Sequence, residues 1–265
     1  MTKVTVITLK EESRRTEMGK YRGFPFLANG EGNDYPTKIE LLVGGSATAK
    51  ACAGVIADFI YGKGFSLEAE ARVTAKERGE RFKKESLYIN DRRETPNDLL
   101  KKVARSLSYH RGVFLQINYN QLFQKTSVQV LPYGCCRLGV KDSKNYRGKV
   151  LYYNNWDKLQ DKKEIDKNVS VIDLYDPRPE VIQEQVNKAG GWDNYKGQVF
   201  FLNLDRNDSY PLAWADTVLL DCESEMLSSK YTRNGFKKGF FGTYAFVTSP
   251  FKSEADKEEF QEHLR

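Results

Sequence analysis

Strand-like stretches between residues 113 and 205 constrain the fold of this chain more than any other feature of its sequence. They read VFLQINYN, TSVQVLPY, KVLYYNNW, SVIDLYD and QVFFLNLD, and begin at Val113, Thr126, Lys149, Ser170 and Gln198. In the first of them every second residue is apolar, as in a half-buried strand. A helical stretch, PEVIQEQVNKAGG, separates only the last two, and the strands are too irregularly spaced for repeating βαβ units. The sequence therefore predicts an α+β fold without a doubly wound parallel sheet.

Helical patterns precede and interrupt these strands. One helix is predicted from Pro36 to Val43, and a second begins at Ser46, a good N-cap. The second helix has an apolar stripe at three-four spacing, closed by Gly62 and Gly64, and this stripe is predicted to face the core. Its members are Ala49, Cys52, Ala53, Ile56, Phe59 and Ile60. A third helix is predicted to open at Thr95-Pro96 and to end at Gly112.

A long amphipathic helix is predicted after Tyr210-Pro211 and is expected to end at Asn234-Gly235 in a left-handed cap. Its roughly 22 residues would extend about 33 Å. The apolar stripe is wide enough to pack against more than one neighbour, including other chains. The residues hypothesised to form a subunit interface are Leu212, Ala215, Leu219, Leu220, Met226 and Leu227. A strand, TYAFVTS, and a charged helix, SEADKEEFQEHLR, are predicted to follow.

Composition and charge narrow the function classes. The formal charge of +6 is too small for a dedicated nucleic-acid binder, although it permits local contact with a polyanion. No apolar run approaches the roughly eighteen residues of a membrane helix, and the first twenty residues lack the apolar centre of a signal peptide. We therefore expect an intracellular protein without a membrane partner. The cysteines, expected to be buried or idle and to hold no metal, are Cys52, Cys135, Cys136 and Cys222.

The Gly44-Gly45-Ser46 turn raises the question of a nucleotide enzyme. A phosphate-binding Walker loop needs a Lys followed by Ser or Thr, and Lys50 lies one turn inside the helix without that pair. We expect Ser46 to be a helix cap and the glycines to be structural. No nucleophile elbow is present, so no catalytic residue and no cofactor are predicted. The carboxylates of Asp221, Glu223 and Glu225 are expected to form a solvated or intersubunit charged edge.

An ordered series of short motifs resembles the portal proteins of tailed bacteriophages, particularly portal-like sequences of phages that infect Bacteroidetes. The motifs, which cover roughly Tyr35 to Phe251, are Tyr35-Pro36, SATAKACAGVIADFIYGKGF, LLKKVARSLSYHRGVFLQINYN, VLPYGCCRLG, YYNNWDK, Tyr210-Pro211-Leu212 and YTRNGF. Each is weak alone, and their order carries the specificity. The resemblance implies an N-terminal arm at residues 1–35, an α+β wing at 36–210, a stem helix at 211–234 and the start of a clip at 235–265. Family members continue into a second stem helix and a crown, so we expect the chain to be truncated.

The resemblance also implies a function. Portal subunits form a ring, usually dodecameric, at one capsid vertex, through which double-stranded DNA is packaged and ejected. The implied partners are copies of the chain itself, passing DNA, the terminase, the major capsid protein and the tail adaptor. The implied location is the virion, and the host cytoplasm before assembly. A nucleotide- or DNA-processing enzyme at Gly44-Gly45-Ser46 is the alternative, and a monomeric interaction domain is a third possibility.

Basic residues cluster where the predicted stem helix meets the predicted clip. The residues hypothesised to face the DNA tunnel are Lys230, Arg233, Lys237 and Lys238, with Tyr231, Phe236, Phe240 and Phe241 among them. DNA that moves through a conduit must be held by sequence-independent, salt-sensitive contacts, which lysine and arginine provide. An exposed basic helix end favoured by the helix dipole explains the same residues equally well.

Overall fold

The computed structural model of the chain describes residues 24–30, 32–65, 88–140, 147–156, 167–205, 209–238 and 253–263. The chain divides into two compact units, Met1–Glu225 and Met226–Arg265. The helices of the described residues are α1 (Tyr35–Gly45), α2 (Ala47–Tyr61), α3 (Pro96–His110), α4 (Pro179–Ala189), α5 (Leu219–Lys238) and α6 (Glu254–His263). The strands are β1 (Gly112–Tyr119), β2 (Lys125–Leu131), β3 (Cys136–Leu138), β4 (Lys149–Tyr152), β5 (Ser170–Leu174) and β6 (Gln198–Asn203).

The strands of the described residues form one six-stranded mixed sheet in the order β2-β1-β6-β5-β4-β3. Strand β1 pairs antiparallel with β2 and with β6, and its register with β6 runs from Gly112 opposite Asn203 to Ile117 opposite Gln198. Strands β5 and β6 are parallel, with α4 in the connection between them. The α+β prediction is therefore confirmed. The predicted strand TYAFVTS lies outside the described residues.

Helix ends follow local sequence signals closely. Ser46 caps α2 by accepting the Ala49 N–H at 3.0 Å, as predicted. At the start of α3, the hydroxyl of Thr95 accepts the Asp98 N–H at 3.2 Å and Asp98 accepts the Thr95 N–H at 3.1 Å, which is a capping box. The end of α3 differs slightly from the prediction. Arg111 takes the left-handed conformation, with φ of 56°, and Gly112 is already the first residue of β1.

The predicted core stripe of α2 is only partly correct. Ala49 and Ala53 are buried, whereas Cys52, Phe59 and Ile60 are exposed. The two alanines lie one turn apart and pack in a cluster with Ile39 and Val43 of α1, so the buried face is narrow. The larger side chains of Phe59 and Ile60 are exposed.

The long helix starts later and ends later than the sequence predicts. Residues 211–213 are not helical, because the Ala213 N–H donates to the Tyr35 hydroxyl at 3.1 Å and Ala213 is extended. A 3₁₀-helix, Trp214–Val218, then leads into α5. The expected stop at Asn234-Gly235 is wrong, since α5 runs to Lys238. A glycine inside a helix costs only about 1 kcal/mol relative to alanine, so the helix can continue through it.

Tyr210 lies in the main hydrophobic cluster of the first unit, together with residues of the sheet. It is fully buried, packs in one cluster with Phe114 and Val199, and its hydroxyl accepts the Leu138 N–H at 2.7 Å and donates to the Leu27 carbonyl at 3.0 Å. The predicted N-terminal arm, residues 1–35, lies largely outside the described residues. Its described end is not a free arm, because Phe24 and Phe26 are buried against Trp156 and Leu151.

Both outer strands of the sheet form backbone hydrogen bonds with neighbouring segments. The Leu27 N–H donates to the Leu138 carbonyl of β3 at 2.8 Å, and the Val128 N–H of β2 donates to the Ile89 carbonyl at 3.0 Å. Unpaired strand edges are templates for unwanted pairing between chains. These two segments therefore shield part of each edge.

Glycine is required at one close approach within the sheet. Gly197 has φ of +74°, and a Cβ placed there would lie 2.3 Å from the Ile117 carbonyl oxygen. No other residue type can combine that conformation with that contact. The approach brings the start of β6 beside the end of β1.

No single described helix is long and apolar enough to cross a membrane. Taken together, α1 and α2 have the length and apolar composition of a membrane span, although the two helices meet at an angle of 105°. Within the chain, Ile39 and Val43 of this pair are fully buried.

Candidate functional site

The Gly44-Gly45-Ser46 turn lies at the N-terminus of α2, where helix N–H groups would favour an anion. A carboxylate of the chain itself occupies this position. Glu225 accepts hydrogen bonds from the Ser46 hydroxyl, from the Thr48 N–H at 3.3 Å and from the Thr48 hydroxyl at 3.2 Å. Ser46 is 1% exposed. The groups that a phosphate would need are therefore already used.

Electrostatics agrees with this assignment of Glu225. The hydrogen bond from the Ser46 hydroxyl is the largest cause that lowers the pKa of the Glu225 carboxyl, and the Thr48 contacts lower it further. The sequence led us to expect Glu225 in a solvated or intersubunit charged edge. Instead, its carboxylate binds the N-terminus of α2 in the same chain. Sequence patterns missed it because 179 residues separate it from Ser46.

Large apolar side chains on α2 are exposed to solvent within the single chain. Phe59 is 83% exposed and Val55 is 54% exposed, and Ile60 adds to the same segment at 39%. Val55 and Phe59 lie one turn apart, so they share a helix face. Large exposed apolar side chains that share a helix face are candidates for an interaction surface. We call Val55, Phe59 and Ile60 the α2 apolar face.

The residues predicted to form a subunit interface have different environments. In the first unit, Ala215 is fully buried in its own chain and has no surface left for a second subunit, whereas Leu220 is 66% exposed. Leu212 and Leu219 are half-buried. In the second unit, Leu227 is 53% exposed and Met226 is half-buried.

The basic residues predicted to face a DNA tunnel lie on the last turns of α5. Lys230, Arg233 and Lys237 are exposed, and their spacing of three and four residues places them on one helix face. Lys238 is the final residue of α5. Tyr231 and Phe236, which are 66% and 72% exposed, lie among them. The predicted neighbours Phe240 and Phe241 lie outside the described residues.

The cysteines do not form a reactive centre in the described part of the chain. All four are free, and Cys136 and Cys222 are buried. Burial is the largest cause that raises the pKa of the Cys135, Cys136 and Cys222 thiols, which keeps them protonated and weakly nucleophilic. Cys52, predicted to face the core, is exposed. No group of three potential metal ligands occurs among the described residues.

No known protein family matches the chain, and no curated protein matches it in sequence. Among solved structures, it is similar to one described as the neck of an empty GTA particle computed with C6 symmetry. The identity is 8% and the TM-score is 0.49, over 86% of this chain and 55% of that chain. The chain thus spans about half the length of the structure that it matches. At this level the likeness identifies neither a family nor a function.

Proposed function

We propose that the chain is a structural subunit that assembles with copies of itself into a ring, through which double-stranded DNA is packaged into and ejected from a capsid. This is the role of the tailed-phage portal proteins that the sequence resembles. In this proposal residues 36–210 form the wing, residues 211–234 the stem and residues 235–265 the start of the clip. The ring works by its geometry, and no bond is made or broken in it.

The observation that carries the proposal is the α2 apolar face. Phe59 at 83% exposure and Val55 at 54% exposure present apolar surface that the described chain leaves uncovered. Burial of apolar surface contributes roughly 25 cal/mol per Å², so a second subunit that covered these side chains would be bound favourably. A ring contact is heterologous, so this face must meet a different surface of the next subunit. Leu220, at 66% exposure, is a candidate for that other surface.

The exposed cations of α5 support the DNA part of the proposal. Lys230, Arg233 and Lys237 are exposed and lie on one face of the helix, where they can contact phosphates. Contacts of this kind bind phosphate without sequence preference and are weakened by salt. A conduit requires both properties, because the duplex must move through it.

Further partners follow from the proposed role. A terminase would supply the energy of packaging, the major capsid protein would surround the ring at its vertex, and a tail adaptor would bind after filling. The assembled ring would reside in the virion, and the free subunit in the host cytoplasm. The alternative of an enzyme at Gly44-Gly45-Ser46 loses support, because Glu225 occupies the N-terminus of α2.

Mass photometry and negative-stain imaging of the purified chain test the proposal. We expect closed rings with a central hole for the unmodified chain. Phe59→Glu places a charge in the α2 apolar face and is expected to shift the population to monomers, because a buried unpaired carboxylate is costly.

Gly54→Glu is the matched control. It puts the same side chain on α2, roughly 140° around the helix from Phe59. A Cβ at Gly54 meets nothing within 4 Å, so the helix can accept the change. Rings should survive it. A chain that stays monomeric at micromolar concentration in both measurements would instead be an isolated interaction domain, and the ring proposal would be abandoned.

A further inference from the structure

A large cleft opens in the first unit where α3, the N-terminal helices and one face of the sheet meet. Its volume is about 1060 Å³, at the upper end of the range for small-ligand sites. Gln116 of β1, Gln129 of β2 and Ser170 of β5 lie on its sheet side. The Gln129 amide donates to the Gln116 carboxamide oxygen at 2.8 Å, so this polar floor is held in a defined arrangement.

The described side chains that line the cleft are strongly biased toward positive charge. The cations are Lys50, Arg92, Lys102, Arg105 and Lys196, whereas Glu40 is the carboxylate among the described lining residues. Lys102, Arg105 and Tyr109 are spaced three and four residues apart, so α3 presents them along one face. Lys102 is partly neutralised by an ion pair with Glu94. A cleft lined by one sign of charge concentrates ligands of the opposite sign.

A buried histidine forms part of the cleft wall. His110 is 5% exposed, and its ring stacks on Tyr133 with centroids 4.4 Å apart and planes 9° apart. Its Nε2 lies 3.1 Å from Glu40 Oε1. Its Nδ1 is buried and has no hydrogen-bond partner among the described residues. Nδ1 is covered by the protein itself, so a molecule in the cleft would not contact it, and the stacked rings serve to make this wall rigid.

Aromatic side chains complete the lining and narrow the class of ligand. Tyr109, Tyr152 and Tyr195 are half-buried in the cleft, and the Arg105 guanidinium lies 5.8 Å from the Tyr109 ring centroid. Tyrosine rings stack on nucleobases with little sequence preference, while arginine and lysine bind the phosphates. An acidic peptide would use the cations but would gain little from the tyrosines.

We propose that this cleft binds a nucleotide, with its base against the tyrosines and its phosphate at Lys50 and Arg105. The nucleotide is either free or part of a single strand. This site uses none of the cations at the end of α5, and it does not depend on assembly of a ring. Apart from the Lys50 side chain, it uses none of the groups at the N-terminus of α2, where Glu225 accepts the Thr48 N–H.

Fluorescence anisotropy with a labelled short oligothymidylate, competed by ATP, by inorganic phosphate and by polyglutamate, tests the proposal. We expect the unmodified chain to bind the strand and Arg105→Ala to weaken binding about tenfold, the effect expected for removal of one charge-assisted hydrogen bond. The same weakening should persist when Lys230, Arg233 and Lys237 are alanine, which separates the cleft from α5. Competition by ATP identifies a free nucleotide as sufficient, and binding by the strand alone identifies a strand site.

Lys101→Ala is the matched control for the cleft. Lys101 is the neighbour of Lys102 on α3, but its ammonium lies over the Tyr61 ring, 5.4 Å from the centroid, and outside the cleft lining. Its removal should leave the affinity unchanged, and circular dichroism should show that both variants are folded. Equal weakening by Lys101→Ala, equal competition by polyglutamate, or no binding of strand and ATP would each overturn the nucleotide site, whatever the oligomeric state.

Discussion

Tyr35 and Tyr210 each precede a proline, and the hydroxyl group of each forms hydrogen bonds that connect distant parts of the first unit. The Tyr210 hydroxyl connects Leu27 and Leu138, and the Tyr35 hydroxyl donates to Asp216 at 2.9 Å while accepting from Ala213. Burial is the largest cause that raises the pKa of both phenols, so they stay neutral and keep donating at any physiological pH. Tyr-Pro pairs are visible in the sequence, but the bonds their hydroxyls make are not.

Replacing Tyr210 by phenylalanine measures how much one such hydroxyl contributes to the free energy of unfolding. Tyr210→Phe keeps the ring in the core but leaves the Leu138 N–H and the Leu27 carbonyl without their partner. We expect the free energy of unfolding to fall by about 1–3 kcal/mol, the cost of unpaired buried groups. Urea denaturation followed by circular dichroism measures it. Tyr88→Phe, at a side chain that is 54% exposed, should change it by less than about 0.5 kcal/mol.

At the scale of elements, the N-terminus of α2 is held by hydrogen bonds to Glu225, and one side of the helix carries exposed apolar side chains. Its N-terminus is closed by Ser46 and by the Glu225 carboxylate, and its buried face consists of Ala49 and Ala53. Small residues let the helix lie close to its neighbours, while Phe59 faces solvent. The same helix can therefore be anchored in its own subunit and still offer a face to another.

The contact between Glu225 and α2 predicts a specific pH dependence. Because folding lowers the pKa of Glu225 below its ordinary value of 4.5, the carboxylate stabilises the fold above about pH 4.5 and loses that effect as the pH falls through the folded pKa. Glu225→Gln should therefore be less stable than the unmodified chain at neutral pH, and the difference should shrink below pH 4.5. Thermal unfolding across this pH range measures both.

Glu223→Gln serves as the control for this effect, since Glu223 is an exposed residue of the same helix. It should leave the stability at neutral pH nearly unchanged. An unchanged stability of Glu225→Gln at neutral pH would contradict the proposed contact.

The elements that the sequence predicts well are those with local signals. The helix start at Thr95-Pro96 and the N-cap of Ser46 are predicted from neighbouring residues, and both are confirmed, while the structure adds the capping box between Thr95 and Asp98. The sheet order could not be predicted, because β1 pairs not only with its sequence neighbour β2 but also with β6, which lies far along the chain. The exposure of Phe59 could not be predicted either, since periodicity gives a helix face but not what covers it. The cleft could not be predicted for the same reason, whereas the basic residues at the end of α5 were identified from the sequence.

At the scale of the whole molecule, several cations lie together at two places among the described residues. The net charge is only +6, yet the cleft in the first unit and the end of α5 in the second each gather several cations. Local concentration of this kind permits binding to a polyanion without the strongly basic composition of a dedicated nucleic-acid binder.

Salt dependence separates a DNA-contacting α5 from an ordinary basic helix end. If Lys230, Arg233 and Lys237 bind phosphate, replacing all three by alanine should make the plot of log affinity for duplex DNA against log salt shallower, by about 0.9 for each phosphate that is no longer neutralised. Filter binding over a range of salt concentrations measures this slope. Lys188→Ala removes a cation paired with Glu184 and should leave the slope unchanged. A slope that does not respond to the triple change assigns these residues to the helix dipole alone.

The pairing of Gly112 with Asn203 also has a consequence for biosynthesis. At ribosomal speeds of 5–20 residues per second, the partner of β1 is made roughly 5–18 s after β1 itself. During that interval β1 and β2 can form a hairpin, but the other edge of β1, which later pairs with β6, has no partner strand. For some seconds the nascent chain therefore has an unpaired, apolar edge of β1 exposed. We expect chaperones to release it only after β6 has been synthesised.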